Sequence, residues 1–247
     1  TPVGTLHCAV GASGLADLAE RERQWKAHGA PVRLLDAREA AAKIGSTAYA
    51  GALLDARAGT IQPLSYARGL ARAALAAGAA IFTGSPVTET REENGLWVLS
   101  TPEGTVRADR VIVATNAYSS GPWAALRDEL VPLPYFNFAT TPLPAAVLAE
   151  LLPERQGCWD TRMVLSSFRL DRAGRLVFGS VGALSGTGYA IHRAWAKRAM
   201  TKIFPALAGV DFEAAWYGRI GMTGDAVPRL HRPARNVVAV CGYNGRG

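Results

Sequence analysis

The sequence predicts a mixed fold in which an α/β part is joined to an α+β part. Residues 59–87 contain a turn, an Ala- and Leu-rich helical stretch, a glycine and an apolar run in that order, which is the pattern of an α/β unit. From about residue 122, proline and aromatic residues become frequent, and the apolar runs alternate with polar residues as in antiparallel sheets. We therefore expect two domains of different type.

The expected boundaries make the first domain discontinuous. Residues 1–121 and 227–247 are predicted to form the α/β domain, because the final apolar run, NVVAVCGYNG, has the composition of a buried strand of that domain's sheet. Residues 122–226 are predicted to form the second domain, an antiparallel sheet with helices. Part of residues 1–60 is a candidate for packing on this second domain.

The composition favours a globular protein without a membrane segment. The chain has 247 residues, of which 49% are hydrophobic, so it is long enough to bury a sizeable core. No run approaches the roughly 20 consecutive apolar residues of a membrane span. The start, TPVGTLHCAV, lacks the charged and apolar regions of a signal peptide. We expect a soluble, cytoplasmic protein.

The cysteines, histidines and charges point to no metal, disulfide or nucleic-acid partner. The three cysteines, Cys8, Cys158 and Cys241, are far apart, and the four histidines are scattered, so no zinc or disulfide spacing is present. The net charge of +7 is compatible with an anionic partner. However, the Arg residues are spread singly among acidic residues, which disfavours a nucleic-acid patch.

Three helices are marked by their start and stop signals. The first is predicted over residues 13–28, where apolar residues recur at helical spacing. The second begins with Asp36 and Glu39, a capping-box pair, and stops at Gly45. The third covers residues 63–77 and begins with a proline at its first position.

Strands are predicted on both sides of two turn signals. The run AAIFTG, residues 79–84, is expected to be a buried strand after the third helix. Residues 86–115 alternate strand-like runs with turns at Asn94–Gly95 and at Pro102–Gly104, which predicts a three-stranded meander. Its last strand is predicted to be RVIVAT, residues 110–115, covered on both faces because it is continuously apolar.

The second domain is expected to contain a hairpin, a helix and a long strand. Residues 163–182 predict the hairpin, with its turn at Asp171–Gly174. Residues 189–204 have helical periodicity and end before Pro205. Residues 212–228 are predicted to return as a strand.

Two strand ends have the composition of ligand-binding loops. The run VIVATNAYSSG leaves its strand in small and hydroxyl residues, at the place where a parallel sheet opens its carboxyl ends to ligands. The run VVAVCGYNGRG leaves its strand in three spaced glycines, which let the backbone approach a flat or anionic ligand. Either run alone is a weak signal, because a plain strand exit has the same composition.

Together with two other motifs, these runs resemble a known family. The motifs are GTIQPLSYARGLARAALAAGAAI, RADRVIVATNAYS, WYGRIGMTGDAVP and NVVAVCGYNGRG, in that order. They resemble the FAD-dependent amine and amino-acid oxidoreductases that include D-amino-acid oxidase, glycine oxidase and sarcosine oxidase. The pair ATNAYS and GYNGRG is most similar to the γ-glutamylputrescine oxidase type. The resemblance extends from about residue 10 to residue 247.

This resemblance implies a two-domain flavoprotein. The α/β part would be an incomplete, Rossmann-like FAD-binding domain, and the antiparallel sheet would be a discontinuous substrate domain that covers the isoalloxazine ring. By position, Val87 matches the contact with adenine, and Ala114, Thr115 and Asn116 match the strand end beside the ADP moiety. The loop that meets the flavin ring matches Gly242, Tyr243, Asn244, Gly245, Arg246 and Gly247.

Both halves of the family's usual FAD clamp are missing from the sequence. The strand and G-x-G-x-x-G turn that hold the pyrophosphate on a helix N-terminus are absent, and GASGLADLAE at residues 11–20 has the wrong spacing. The helix expected after GYNGRG is absent as well. We therefore expect a truncated oxidoreductase, with an inert fragment that binds no FAD as the alternative.

The resemblance also bears on the substrate. In the amino-acid oxidases of this family, an arginine before the T-x-D turn pairs with the substrate carboxylate, and that position is Ile220 here. Arg219 is one residue away and would face the other side of a strand. A small-molecule amine is therefore favoured over a simple amino acid. Gly218 occupies about the place of the cysteine that attaches flavin in covalent sarcosine oxidases, so FAD is expected to be non-covalent.

The implied reaction is transfer of a hydride from the carbon beside a neutral amine to FAD, with dioxygen as the final acceptor. No catalytic residue is predicted. Candidates for the substrate pocket, with ordinary sheet packing as the alternative, are Tyr135, Phe136, Phe168, Arg169 and Phe178. A rival within the family is a tRNA-modifying oxidoreductase, which a net charge of +7 would suit. The sequence leaves the oligomeric state open.

Overall fold

The computed structural model describes residues 3–245, whose contacts divide the chain into two units. Unit 1 comprises the residues up to Tyr66 together with Tyr135–Tyr217. Unit 2 comprises Ala67–Pro134 together with the residues from Gly218 onward. Each unit is therefore assembled from two separate stretches of the chain.

Unit 1 contains an eight-stranded, mainly antiparallel sheet, some of whose strands extend beyond the bounds of the unit. Across the sheet the order is β12 (Phe212–Met222), β8 (Val131–Thr140), β11 (Leu176–Val181), β10 (Ser167–Leu170), β9 (Gly157–Asp160), β1 (Thr5–Ala9), β3 (Gly51–Asp55) and β2 (Val32–Leu35). The strands β1 and β9 are parallel, whereas β8–β11, β11–β10, β10–β9, β1–β3 and β3–β2 are antiparallel pairs. The predicted hairpin over residues 163–182 is confirmed by β10 and β11.

Helices pack on both faces of this sheet, because Ala52 and Leu53, which are adjacent in β3, belong to separate clusters that contain residues of different helices. Those of unit 1 are α1 (Gly11–Ala27), α2 (Ala37–Ile44), α4 (Ala145–Glu150) and α5 (Gly188–Ile203), and α3 (Pro63–Ala76) starts in unit 1 and continues past its bounds. The main core contains four fully buried phenylalanine side chains, Phe136, Phe138, Phe168 and Phe178, together with residues of α2 and α5. The predicted first, second, third and last helices are thus confirmed to within about two residues.

Unit 2 contains two three-stranded sheets. One is the antiparallel meander β4 (Glu89–Glu93), β5 (Leu96–Thr101) and β6 (Gly104–Ala108). The other has the order β13 (Arg229–Ala234), β14 (Val237–Cys241) and β7 (Val111–Val113), in which β14 is antiparallel to β13 and parallel to β7. The prediction that the final strand shares a sheet with residues near 111–113 is confirmed.

The structure corrects two strand predictions. Residues 79–84 form no strand, and Ile81 and Phe82 are exposed, because no described strand runs alongside them to pair with their backbone. The third strand of the meander is β6, whereas residues 111–113 form β7 in the other sheet. Ile112 of β7 is 75% exposed, so this strand is covered on one face only.

The two units do not follow the predicted domain boundaries. The contacts place the residues up to Tyr66 with Tyr135–Tyr217, because β1, β2 and β3 extend the large sheet. None of these three strands was predicted. Since the predicted domains were assigned by their role in binding FAD or substrate, that assignment stays a prediction.

The described residues contain no helix that is both long enough and apolar enough to cross a bilayer. Nor do residues 3–245 contain three or more His, Cys, Asp or Glu side chains grouped so that they could hold a metal ion. The three cysteines are free and buried.

The ends of α2 show how local signals set a helix. The Asp36 carboxylate accepts a hydrogen bond from the Glu39 N–H at 2.8 Å, and the Glu39 carboxylate accepts one from the Asp36 N–H at 3.1 Å. At the other end Gly45 adopts a left-handed conformation with φ 76°. A Cβ at Gly45 would also clash with the carbonyl oxygen of Glu150. This position therefore needs glycine for two reasons.

We predict that Gly45→Ala destabilises the protein more than Gly29→Ala does. Both glycines follow a helix with similar positive φ values, 76° and 74°, but a Cβ at Gly29 would meet nothing within 4 Å. Gly29→Ala should therefore cost about 1 kcal/mol of backbone strain, and Gly45→Ala should cost a further 1–3 kcal/mol, roughly, for overpacking. Urea unfolding of the two variants measures the difference. Equal unfolding midpoints would contradict the clash.

Candidate functional site

The carboxyl ends of β7 and β14 lie at the same edge of their sheet. The two strands are parallel, with Val111 opposite Val237 and Val113 opposite Ala239. Ligands of open parallel sheets bind outside the carboxyl ends of the strands. The predicted cofactor residues that follow β7 and those that follow β14 are therefore brought to one place within unit 2.

Asn116 joins the two strand ends. Its side-chain Oδ1 accepts a hydrogen bond of 2.9 Å from the backbone N–H of Gly242, which is 126 positions away in the chain. Asn116 has φ 46°, a left-handed conformation that asparagine tolerates better than most residues. A Cβ at Gly221 would lie 2.7 Å from this Oδ1, so the neighbouring strand can come this close only as glycine.

Asn244 fixes the loop that follows β14. Its Oδ1 accepts from the Thr223 N–H at 2.7 Å, and its Nδ2 donates to Thr223 Oγ1 at 3.0 Å and to the carbonyl oxygen of Gly242. The hydroxyl of Thr223 in turn donates to the carbonyl oxygen of Val227 at 3.0 Å. Asn244 is 8% exposed and Thr223 6%, so this network is buried and its side-chain polar atoms are satisfied.

Two glycines shape the same loop. Gly242 has φ 73°, and a Cβ there would lie 2.5 Å from Cγ2 of Thr223. Gly245 has φ 69°, and its Cβ would lie 3.4 Å from Cδ1 of Ile220. Within the described part of the chain, the backbone N–H groups of Tyr243 and Gly245 have no hydrogen-bond partner. Among the described residues, these two N–H groups are therefore left available to a ligand.

The remaining predicted cofactor residues differ in their surroundings. Ala114 and Thr115 are exposed, and the Thr115 hydroxyl lies 2.7 Å from that of Ser119. Val87 is half-buried, and its carbonyl oxygen would lie 2.9 Å from a Cβ at Gly121. The last two predicted residues, Arg246 and Gly247, lie outside the described residues.

Thr223 and Tyr118 belong to this region and were not predicted. The hydroxyl oxygen of Tyr118 accepts a hydrogen bond of 2.8 Å from the backbone N–H of Arg219. A Cβ at Gly218 would lie 3.0 Å from the same oxygen. Both unpredicted residues stand inside quoted motifs, Tyr118 in ATNAYS and Thr223 in TGD. Their place in these motifs was the available signal.

The predicted pocket residues divide between the two faces of the large sheet in unit 1. Phe136, Phe168 and Phe178 belong to the main core and are 0–2% exposed. Phe168 also contributes to the wall of the smaller cavity described below, and the role of these residues in a substrate pocket stays a prediction. Tyr135 and Arg169 alternate with core residues and lie on the opposite face. The Tyr135 hydroxyl donates to Ser167 Oγ at 2.6 Å, and burial raises the pKa of Tyr135.

Two cavities open on this second face. One has a volume of about 290 Å³, and its lining includes Asn137, Trp159, Ser167 and Arg169. The other, of about 650 Å³, is lined by Arg169 as well and by the residues that lead into α3. Of the five predicted pocket residues, Arg169 lines both cavities and Phe168 lines the smaller one.

Comparison with solved structures identifies the class of fold. Over 98% of the chain the structure matches glycine oxidase from Geobacillus kaustophilus, with a TM-score of 0.80, 21% sequence identity and 66% of that protein covered. Over the whole chain it matches L-proline dehydrogenase from P. horikoshii, with a TM-score of 0.82, 19% identity and 68% of that protein covered. The chain therefore has the fold of these two proteins, a mixed α/β fold with a large, mainly antiparallel sheet.

A family model described as FAD dependent oxidoreductase matches residues 1–247. The chain therefore belongs to the FAD dependent oxidoreductase family. It is 32% identical over 213 residues to "Probable oxidoreductase OrdL" of Rhizobium meliloti, covering 86% of this chain and 49% of that protein. It is 31% identical to "Gamma-glutamylputrescine oxidoreductase" of Escherichia coli over 99% of this chain and 58% of that protein. The chain spans about half the length of the OrdL relatives it matches.

The residues at the end of β14 fit the family's cofactor. A flavin ring is flat and bears several hydrogen-bond acceptors, and the loop offers the free N–H groups of Tyr243 and Gly245. Gly242 and Gly245 have positive φ values and no Cβ, so a ligand can approach the backbone at these two positions. The loop therefore fits the cofactor in its backbone shape and in its hydrogen-bond donors. This fit concerns only the part of the cofactor that would contact the loop.

We predict that Asn244→Ala destabilises unit 2 much more than Asn94→Ala does. Both residues have positive φ values, 54° and 51°, so both alanine variants pay a similar backbone cost. Only Asn244→Ala leaves buried partners of the lost amide unsatisfied, at about 1–3 kcal/mol each. Urea unfolding gives the free energies. If both variants lose the same stability, the buried network does not hold the loop.

Proposed function

We propose that this chain is part of an enzyme that oxidises a CH–NH bond of a small amine with non-covalent FAD and dioxygen. The observation that carries this proposal is the loop Gly242–Gly245, held at the edge of the β7–β14 pair with free N–H groups. Membership of the FAD dependent oxidoreductase family supports it. A cytoplasmic location stays a prediction from the sequence.

In this proposal the protein holds and orients the cofactor. Bound FAD would supply the hydride acceptor, and the protein would bind the cofactor, orient it and provide hydrogen-bond donors to it. Asn116 and Asn244 hold the loop in one conformation, so its N–H donors need no rearrangement when they meet an electron-rich ring. Gly242, Tyr243 and Gly245 would contact the ring, while Ala114 and Thr115 would lie beside the ADP moiety.

The residue before the T-x-D turn supports an amine over an α-amino acid. In unit 2 the apolar side chain of Ile220 lies beside Gly245, with 3.4 Å between Cδ1 and the position of a Gly245 Cβ. This residue offers no positive charge for an α-carboxylate. The adjacent Arg219 is exposed and occupies the alternate position of the strand. We infer that the loop end of the site receives an uncharged part of the substrate.

The name of one relative also supports an amine as the substrate. One matched protein is named for γ-glutamylputrescine, an amine, and another is a glycine oxidase that is 25% identical over 94% of this chain. The proposed substrate class, a small amine, follows the former name and the isoleucine at position 220.

The experiment is a titration of the purified chain with FAD, followed by anaerobic addition of amines. We expect little FAD to copurify, because the sequence contains no G-x-G-x-x-G turn for the pyrophosphate, and we expect binding when FAD is in excess. Amines related to γ-glutamylputrescine should then bleach the visible flavin absorbance, and glycine should not. Absence of binding even in excess FAD would support an inert fragment. Stoichiometric FAD in the purified protein would contradict the missing clamp.

Asn116→Ala tests the role of the loop directly. Removing the bond to the Gly242 N–H should free the strand end and weaken FAD binding about tenfold, the equivalent of one hydrogen bond. Asn94→Ala is the matched control, because it has a similar φ and lies in the exposed turn between β4 and β5. Quenching of flavin fluorescence gives both dissociation constants. If Asn116→Ala binds FAD with unchanged affinity, the loop does not contribute to FAD binding.

A further inference from the structure

The larger cavity of unit 1 is unusually rich in arginine. Its volume, about 650 Å³, lies in the range of small-molecule pockets. Three arginines line it, Arg155, Arg169 and Arg172, and Asp171 is the one acidic residue on its wall. We call this cavity the arginine cleft. Gln62 and Ser65, at the start of α3, form part of the opposite wall.

The single carboxylate of the cleft is already engaged elsewhere. Oδ1 of Asp171 accepts hydrogen bonds from the backbone N–H groups of Ala173 and Arg175, at 2.8 and 2.9 Å. Its Oδ2 pairs with the guanidinium of Arg175 at 3.3 Å, and Arg175 is not on the cavity wall. Asp171 therefore stabilises its own turn and Arg175, and among the described residues it forms no ion pair with the three arginines of the cleft.

The three arginines of the cleft have no acidic partner. Among residues 3–245, neither Arg169 nor Arg172 forms an ion pair or a side-chain hydrogen bond. The guanidinium of Arg155 has one contact, with the carbonyl oxygen of Asp171 at 3.4 Å. The cleft therefore has an excess positive charge that no described residue balances.

Arg169 is the member of this group that burial affects. It lies on β10 between Phe168 and Leu170, which point into the core, so its side chain takes the opposite face. Burial lowers the pKa of its guanidinium, and the charge of Asp171 opposes that shift. Arginine stays protonated at neutral pH even so. A half-buried charge without a partner is costly, and an anionic ligand would offset that cost.

We propose that the arginine cleft binds the carboxylate of a small organic anion, with Arg169 as the central residue and Arg155 and Arg172 at the rim. The planar guanidinium of arginine suits two-pronged contact with a carboxylate. The ligand class is therefore a small organic acid. Phosphate shares this oxyanion chemistry, so the test includes it.

The test is calorimetric titration of the chain with glutarate, with neutral glutaramide and with inorganic phosphate, in the absence of FAD. We expect saturable binding of glutarate, weaker binding of phosphate and none of glutaramide. Arg169→Met should weaken glutarate binding at least about tenfold, as expected when a charged hydrogen-bond partner is lost. If glutaramide binds as tightly as glutarate, or if phosphate binds more tightly than glutarate, the carboxylate assignment is overturned.

Two further variants keep the result interpretable. Arg38→Met is the matched control, because Arg38 is an exposed arginine of α2 in the same unit and lies outside the cleft. It should bind glutarate like the unaltered chain. The double variant Arg155→Met/Arg172→Met changes exposed side chains and should fold normally while also weakening binding. Undiminished affinity in this variant and in Arg169→Met would overturn the proposal.

The outcome for the cleft is separable from that for the oxidase. If glutarate binds through Arg169 but no amine reduces bound flavin, the cleft stands and the proposed function fails. If an amine without a carboxylate reduces flavin and Arg169→Met leaves its apparent affinity unchanged while glutarate does not bind, the proposed function stands and the cleft fails.

Discussion

Two asparagine side chains determine the shape of the site in unit 2. The Gly242 N–H directly follows β14 and the Thr223 N–H directly follows β12, so both need acceptors outside the strand ladders. The side chains of Asn116 and Asn244 supply them, at 2.9 and 2.7 Å. An amide has both donor and acceptor atoms, so Asn244 also returns a hydrogen bond to Thr223. The rigidity of the loop follows from this exchange.

Features of the fold that depend on neighbouring residues in the sequence were predictable. Asp36, Glu39 and Gly45 mark the ends of α2 because capping bonds and a left-handed stop involve residues a few positions apart. Strand partners are not encoded locally in this way. Residues 79–84 have the composition of a strand but lack a partner among the described residues, and β1 pairs with β9, about 150 positions away.

The site was predicted to a similar extent. The glycines of the final loop could be recognised because a positive φ selects for glycine in any context. Thr223 and Tyr118 were missed because their hydrogen-bond partners are distant in the sequence. The partner of Thr223 is the Asn244 side chain, 21 positions away, and that of Tyr118 is the Arg219 N–H, 101 positions away. Phe168 and Arg169 were predicted together as pocket residues, but they are adjacent in one strand, so their side chains face opposite sides of the sheet.

Arg169 differs from the buried charge of Asp160 in unit 1, because Arg169 has no ion-pair partner among the described residues. When this unit buries a charge it provides a counter-charge: the Asp160 carboxylate is fully buried, and the guanidinium of Arg162 lies 3.0 Å from it. Exposed arginines need no such partner, because water solvates them and surface pairs contribute little. Arg169 is neither fully solvated nor paired, and the one nearby carboxylate is bound to Arg175. Its charge therefore destabilises the unliganded protein and favours binding of an anion.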